Sequence, residues 1–241
     1  MEGGGVGEKP LRRIAEAFEG LAEAANCKTA SMEVAPFSRA CSHVSVLFGC
    51  LGIAFKFAEM DYVAKVEDLS KASDSISTLH SLLELDIQQD SVRQAGSHSR
   101  NLLRVKRGLD MVKILFEQIL VTDGNSLRDP ASKAYAKVFA PHHGWAIRKA
   151  VAAGMYALPT KAQLLKKLNE DGEVSKFQCL NSFTTAFLHN IISNSSNYMV
   201  NCFVITEASA KIQMESYVRA STPVIVYIEE LFNSRQLGID W

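Results

Sequence analysis

Three arginines are spaced so that a helix would place them on one face. Arg100, Arg104 and Arg107 fall within about 60° of one another on a helical wheel, and the opposite face is apolar. A guanidinium presents a planar fork of donors, so arginines at i and i+4 suit a phosphate group. No acidic residue shares this face at i±4. Two interpretations stay open: an anion-binding face, or a face that only meets solvent.

A second charged pair follows a long apolar run. Asp61 and Lys65 stand at i and i+4, shortly after the run from Val44 to Phe57. This spacing puts both side chains on one helical face, at the edge of whatever the apolar run lines. The alternative is a routine surface salt bridge worth about 0.2–0.5 kcal/mol.

Catalytic and cofactor motifs are missing from the sequence. It contains no phosphate loop, no G-x-G-x-x-G, no H-E-x-x-H and no G-x-S-x-G. His142 and His143 are adjacent, so their side chains would point about 100° apart on a helix and would not readily share a metal ion. We therefore expect no enzyme activity, no cofactor and no bound metal.

The elements that must position these residues are helical, because apolar residues recur at helical spacing and strand-like alternation is scarce. We expect an all-α protein. Breaks are expected at Gly96, at 123–125, at Pro141 and at Pro159, and Pro223 should kink or split the last helix. The predicted helices are Pro10 to Ala25, Pro36 to Phe57, Asp61 to Lys71, Asp74 to Gln89, Ser99 to Val121, Asp129 to Phe139, His143 to Tyr156, Lys161 to Leu168 and Ala208 to Phe232.

Composition narrows the class of protein. The 241 residues carry 26 basic and 26 acidic side chains, and a net charge of zero argues against general nucleic-acid binding. Hydrophobic residues make up 47% of the chain, which is enough to bury a core. Five cysteines without C-x-x-C spacing indicate reduced, mostly buried thiols. Residues 1–8 read as a flexible terminus without a signal peptide, so we expect a cytoplasmic protein.

The stretch from Val174 to Glu207 differs in composition from the rest. Only Lys176 and Glu207 carry charge, and five asparagines argue against a membrane span. Removing the stretch joins Glu173 to Ala208 as an ordinary loop entering a helix. We interpret residues 174–207 as an insertion, either a retained intron or a long surface loop.

Three segments make the sequence recognisable: Phe48 to Lys65, Arg100 to Leu109, and Ala140-Pro141-His142-His143-Gly144-Trp145. In these segments the chain closely resembles the glycolipid transfer protein family, and within it the branch that transfers ceramide-1-phosphate. The resemblance extends over residues 9–241 apart from the insertion. It implies a single domain: a two-layer helical sandwich of about eight or nine helices that encloses a lipid pocket.

The resemblance also implies roles for five residues that bind the lipid headgroup. Asp61 would accept hydrogen bonds from the sphingoid amide N–H and a nearby hydroxyl, and His143 would donate to the acyl amide carbonyl. Lys65, Arg100 and Arg104 would hold the phosphate. Trp145, which follows the His143 motif, is expected to pack within the structural frame.

The implied function is non-vesicular transfer of ceramide-1-phosphate between membranes. Contact with the membrane surface would then be transient, through apolar and basic residues at the pocket mouth. The alternative is a lipid-sensing helical module that regulates cell death through protein partners, whose identity the sequence does not give.

Overall fold

The computed structural model describes residues 9–27, 31–168 and 195–241. Its described part is helical, and the only β-type pairings in it are two isolated bridges, so the all-α prediction is confirmed. Short 3₁₀ turns cover Ile53–Phe55, Ala140–His142 and Met155–Ala157. The helices are α1 (Pro10–Asn26), α2 (Val34–Cys50), α3 (Lys56–Ala72), α4 (Leu79–Gln88), α5 (His98–Leu120), α6 (Arg128–Val138), α7 (Trp145–Gly154), α8 (Lys161–Lys167) and α9 (Ser195–Asn233).

Helix α5 is the central element. It packs against α3, α4, α6 and α9, while α1 packs against α2 and α9. The ring of Tyr217 on α9 meets Phe18 of α1 and Phe116 of α5 edge-on, with centroids 5.1 and 5.5 Å apart. All three rings are buried. Each contributes roughly 1.5–3 kcal/mol of burial, so α5 is held in place from inside the core.

Side-chain caps fix where three of the helices begin. The hydroxyls of Thr78, Ser97 and Thr160 accept hydrogen bonds from backbone N–H groups in the first turns of α4, α5 and α8. Each such cap stabilises its helix by about 1 kcal/mol. The prediction that a helix starts at Asp74 is therefore wrong, because Thr78 caps α4 and the helix begins at Leu79.

The predicted helix from Pro36 to Phe57 is interrupted. Helix α2 ends at Cys50, and Gly52 has φ of +97°, a conformation that glycine adopts without a steric penalty. The chain then makes a 3₁₀ turn and enters α3 at Lys56, five residues before the predicted start at Asp61. The apolar run consequently ends outside the core: the side chains of Ile53 and Phe57 are 87% and 86% exposed.

Helix α9 continues through Pro223, so the predicted split of the last helix does not occur. The flexible terminus expected at residues 1–8, and residues 174–194 of the predicted insertion, lie outside the described part of the chain. Glu207, the last residue of that insertion, belongs to α9. Its carboxylate lies 2.8 Å from Nζ of the buried Lys161, and this hydrogen bond is the main cause of a lowered pKa for Glu207.

Two expectations about the chain as a whole can be compared with the described residues. No helix among them is long and apolar enough to cross a bilayer. The cysteines at positions 27, 41 and 50 are all free thiols, but only Cys41 is buried, so "mostly buried" is wrong for these three. Cys179 lies outside the described residues.

Candidate functional site

Asp61 and Lys65 lie on the outer face of α3 and form an ion pair. Lys65 Nζ contacts the Asp61 carboxylate and also donates to the Asp61 carbonyl at 3.2 Å. The Asp61 side chain is 60% exposed, whereas that of Lys65 is 16% exposed. The paired carboxylate therefore keeps an open side that can accept hydrogen bonds from a ligand.

Contacts at both ends of α3 fix its position along α5. Near the start of α3, the Tyr62 ring packs on Gly108, where an added Cβ would come within 2.6 Å of a ring carbon. Near its end, the Asp68 carboxylate lies 2.9 Å from His98 Nδ1 and accepts a hydrogen bond from Asn101 Nδ2 at 2.9 Å. The two helices therefore run antiparallel in close contact.

This arrangement brings the α3 pair level with the arginines of α5. Lys65 lies midway between the contacts of Tyr62 and Asp68, and Arg104 lies midway between the corresponding contacts on α5. Lys65 and Arg104 are therefore at the same level along the two packed helices.

The three arginines of α5 differ in their surroundings. Arg107 is only 7% exposed and its Nη2 donates to the backbone oxygens of Ile239 and Trp241 at 2.8 and 2.5 Å. Burial and the neighbouring Arg104 lower the Arg107 pKa, while Asp240 opposes that shift. A purely solvated face is therefore the wrong interpretation for Arg107.

Arg100 and Arg104 are half-buried and remain available to a ligand. Arg100 Nη1 makes one long contact, 3.4 Å, with the carbonyl of Arg93. Among the described side chains, none pairs with the Arg104 guanidinium. A partly buried, unpaired guanidinium is costly unless an anion binds it.

His143 stands directly after the 3₁₀ turn at Ala140–His142. The Tyr135 hydroxyl oxygen lies 2.9 Å from its Nδ1, and the Phe139 ring stacks on it at 5.7 Å. Burial is the main cause of a lowered pKa for His143, and the charges of Arg104 and Arg107 lower it further. His143 is therefore within electrostatic reach of Arg104, and its role toward a lipid stays a prediction.

The first turn of α7 differs from expectation. Trp145 is 69% exposed, so the prediction that it packs within the frame is wrong. None of the residues of α7 is buried. This helix therefore contributes surface rather than core.

Comparisons with known proteins agree with this architecture. Residues 32–170 match the family model described as Glycolipid transfer protein. The chain is 57% identical over 235 residues to the Arabidopsis thaliana protein named Accelerated cell death 11, covering 97% of each chain. The chain belongs to the glycolipid transfer protein family. A zebrafish (Danio rerio) ceramide-1-phosphate transfer protein is 30% identical over 131 residues, which cover 49% of this chain and 62% of the relative.

A solved structure of the glycolipid transfer protein family matches the fold closely. It is an Asp→Asn variant of the Arabidopsis protein in complex with C12 ceramide-1-phosphate, with a TM-score of 0.80 and 55% identity. The match covers 97% of this chain and 99% of that one. The predicted two-layer helical sandwich of the family is thereby confirmed.

Several residues that contact or support the predicted site residues could not be found from the sequence. Tyr135 is on α6, whereas His143 follows the turn after that helix, so helical periodicity does not relate the two residues. The tail at Leu237–Trp241 reaches α5 through Arg107, and Arg93 stacks on the Trp241 ring at 5.5 Å. The only signal available was Trp241 itself, a large aromatic residue at the end of a polar stretch.

Exposed apolar side chains form a second surface feature, on the turn before α3, on α3 and on α7 with the turn that follows it. Gly52 lies beside the Ala157 carbonyl, so the turn before α3 is next to the turn after α7. Both elements present large apolar side chains to solvent. These are Ile53, Phe57, Met60, Trp145, Ile147 and Tyr156.

Proposed function

We propose that this protein carries ceramide-1-phosphate between membranes without vesicles. The observation that carries the proposal is Arg104: its guanidinium has no partner among the described side chains, it matches Lys65 in register along α3 and α5, and its charge lowers the pKa of His143. The relatives support the choice of lipid, since the Arabidopsis protein was crystallised with ceramide-1-phosphate.

In this proposal, Lys65, Arg100 and Arg104 hold the phosphate. Each guanidinium can give two parallel N–H···O bonds to phosphate oxygens, and Lys65 adds a point charge. Charge-assisted bonds of this kind contribute about 1.5–3 kcal/mol each. A neutral sugar would bring no anion to the guanidinium groups of Arg100 and Arg104, so the site favours phosphate.

The ceramide amide is clamped by Asp61 and His143. The exposed side of the Asp61 carboxylate accepts from the amide N–H and a neighbouring hydroxyl, both of which are donors. His143, kept neutral by its lowered pKa, donates to the amide carbonyl. Together these groups recognise the backbone common to sphingolipids, and the cations recognise the phosphate.

The lipid chains need a dry path through water. Transferring a chain of about 16 carbons from lipid into water costs roughly 13 kcal/mol, at about 0.8 kcal/mol per methylene. Buried apolar side chains of α2 and α5, including Val44, Phe48, Val105 and Leu109, lie behind the polar site. We propose that the chains enter between these helices as the apolar side chains separate.

Membrane contact is shallow and reversible in this proposal. In this proposal the membrane is contacted by the exposed apolar side chains of the turn before α3, of α3 and of α7 with the turn that follows it. The exposed Arg148 and Lys149 of α7 add positive charge beside them. Such a surface sits at the headgroup level of a bilayer without spanning it. The protein would thus be cytoplasmic and bind membranes transiently, and it would be a carrier rather than an enzyme.

Vesicle-to-vesicle transfer tests the proposal directly. We expect the protein to transfer ceramide-1-phosphate in preference to a neutral glycosphingolipid. Arg104→Leu and Asp61→Asn should each lower the transfer rate by about 10-fold or more, because each removes a charged partner of the lipid. The matched control is Arg219→Leu, since Arg219 pairs with Glu19 on the α1–α9 side and is exposed.

The outcomes separate carrier from sensor. Transfer at the wild-type rate by Arg104→Leu would remove this residue from the site. Tight lipid binding without transfer, together with lipid-dependent binding of a protein partner, would replace the carrier with a lipid-sensing module.

A further inference from the structure

We propose that Tyr135 is a positioning residue that fixes the tautomer of His143. Its hydroxyl donates to Nδ1, so the neutral imidazole carries its proton on Nε2 and can donate to the ceramide amide carbonyl. This inference rests on the proposed function, because it explains how one member of the lipid clamp is prepared for its ligand.

The geometry gives His143 two neighbours with different capabilities. Tyr135 is on α6, and its hydroxyl oxygen lies 2.9 Å from Nδ1, a normal hydrogen-bond distance. Phe139, which directly follows α6, stacks on the imidazole with an interplanar angle of 19°. The phenylalanine can hold the ring plane, but only the hydroxyl can distinguish one ring nitrogen from the other.

The chemistry of the two groups sets the direction of the bond. A neutral imidazole has one N–H donor and one acceptor nitrogen, and its tautomer is set by the bond that the other nitrogen makes. An imidazole lone pair is a stronger acceptor than a phenol oxygen, and a phenol is a good donor. The stable arrangement is therefore O–H···Nδ1, with the proton of the ring on Nε2.

Both groups hold the protonation states that this bond requires. Burial raises the pKa of Tyr135, although Arg148 opposes the shift, so the phenol stays protonated. Burial, Arg104 and Arg107 lower the pKa of His143, so the imidazole stays neutral near pH 7. These shifts agree with the bond direction that geometry and donor strength give.

The tautomer matters because an amide carbonyl only accepts hydrogen bonds. With Nδ1 occupied by Tyr135, Nε2 is the nitrogen left for the lipid. The opposite tautomer would present a lone pair on Nε2 to the carbonyl oxygen, and the two would repel. Fixing the proton on Nε2 before the lipid arrives avoids that mismatch.

The test reads the tautomer in the lipid-free protein. Long-range ¹H–¹⁵N spectra of protein labelled at histidine distinguish a protonated from an unprotonated ring nitrogen, and His143→Gln identifies the resonances of His143. We expect Nε2–H in the wild type. Tyr135→Phe should give a mixture of both tautomers and weaken binding of ceramide-1-phosphate by about 3- to 10-fold, the size of one lost hydrogen bond.

Two control variants isolate the hydroxyl. Tyr156→Phe removes another tyrosine hydroxyl, one that accepts a hydrogen bond from Arg128 Nη2 at 2.6 Å, and should leave the tautomer of His143 unchanged. Phe139→Leu removes the stacked ring but keeps the Tyr135 hydroxyl, so the Nε2–H tautomer should persist. This second variant keeps the proposal testable even if Tyr135→Phe does not fold.

Contradiction would take a clear form. A wild-type protein with its proton on Nδ1, a folded Tyr135→Phe with an unchanged tautomer, or loss of the Nε2–H form in Phe139→Leu would each overturn the inference. Failure of the transfer function is a separate result: the protein would not move ceramide-1-phosphate, whatever tautomer its lipid-free spectrum shows.

Discussion

At the scale of single residues, the arginines of α5 differ in the partners of their guanidinium groups. Arg107 donates to the backbone of the chain's own tail, whereas Arg104 has no partner among the described side chains. Their spacing places all three arginines on the same face of a helical wheel and does not distinguish one from another. The difference depends on Ile239 and Trp241, which are 132 and 134 positions away from Arg107 in the chain, so sequence periodicity could not reveal it.

The histidines beside these arginines predict how stability depends on pH. Burial is the main cause of a lowered pKa in both His142 and His143, and Arg107 and Arg104 lower it further. In the unfolded chain both pKa values return to about 6.5. Between the folded and unfolded pKa values the unfolded state binds more protons, so the free energy of unfolding falls as the pH drops through about 6.5.

Urea unfolding at about pH 7.5 and about pH 5.5 measures this effect. The double variant His142→Gln/His143→Gln should lose less stability on acidification than the wild type, since the other four histidines are common to both chains. An identical loss in the two proteins would show that these histidines titrate normally in the folded state.

Part of the site was accessible from the sequence. The i, i+4 spacing of Asp61 and Lys65 predicts the ion pair that the structure contains. The resemblance to the family supplied His143, whose pKa is lowered by burial and by the charge of Arg104. The roles of the five residues toward a lipid stay predictions until transfer is measured. Tyr135 was missed because its partner depends on how the chain turns at Pro141.

At the scale of elements, the site depends on the close approach of α3 and α5. Gly108 has no side chain, and the ring of Tyr62 occupies the space that a Cβ would need. Tyr62 is itself fixed, because its hydroxyl donates to the Cys41 carbonyl of α2 at 3.1 Å. At this end of α3, the glycine contact thus sets how closely the two helices approach.

Gly108→Ala should push the two helices apart. The new methyl group would lie 2.6 Å from the Tyr62 ring, and overpacking of this kind costs roughly 1–3 kcal/mol. We expect lower stability in urea and weaker binding of ceramide-1-phosphate, although no polar atom of the site is altered.

Gly20→Ala is the matched control for that substitution. Gly20 lies within α1 and no atom lies within 4 Å of its added Cβ. This variant should gain about 0.5–1 kcal/mol, because alanine restricts the unfolded chain and favours helix. If Gly108→Ala were as stable as this control, the spacing of α3 and α5 would not depend on the glycine.

Helix positions could be predicted well wherever apolar periodicity and a break coincide. The α5 and α6 boundaries each fall within one residue of prediction at both ends. The α2–α3 junction was misplaced because the apolar run continues through it, and only the positive φ of Gly52 ends the helix. Likewise, Pro223 remains inside α9, since packing against α1 and α5 supports the helix on both sides.

At the scale of the whole molecule, the polar site is held by contacts outside residues 174–207. Its side chains come from α3, α5 and the turn before α7, and α6 and the tail support them. Helix α9 begins at Ser195, so the surface-loop alternative is wrong for residues 195–207, and the predicted start of the last helix at Ala208 is wrong as well. A retained intron as the origin of residues 174–207 stays a prediction. The arrangement predicts that their presence is not required for lipid recognition.

A chain lacking residues 174–207 should therefore transfer ceramide-1-phosphate with the same preference over a neutral glycosphingolipid as the full chain. The transfer assay on both proteins, with circular dichroism as the control for folding, measures this. Transfer by the shortened chain alone would mean that the segment impairs function. Loss of transfer in a folded, shortened chain would mean that the segment takes part in it.

The contact between Lys161 and Glu207 is kept whichever of two descriptions of that deletion is used. Removing 174–207 or removing 173–206 produces the same shortened polypeptide, because glutamate stands at both 173 and 207. In either description one glutamate directly precedes Ala208, in the position from which Glu207 reaches the buried ammonium group. Long and short chains would therefore present the same carboxylate to Lys161, and neither leaves that buried charge uncompensated.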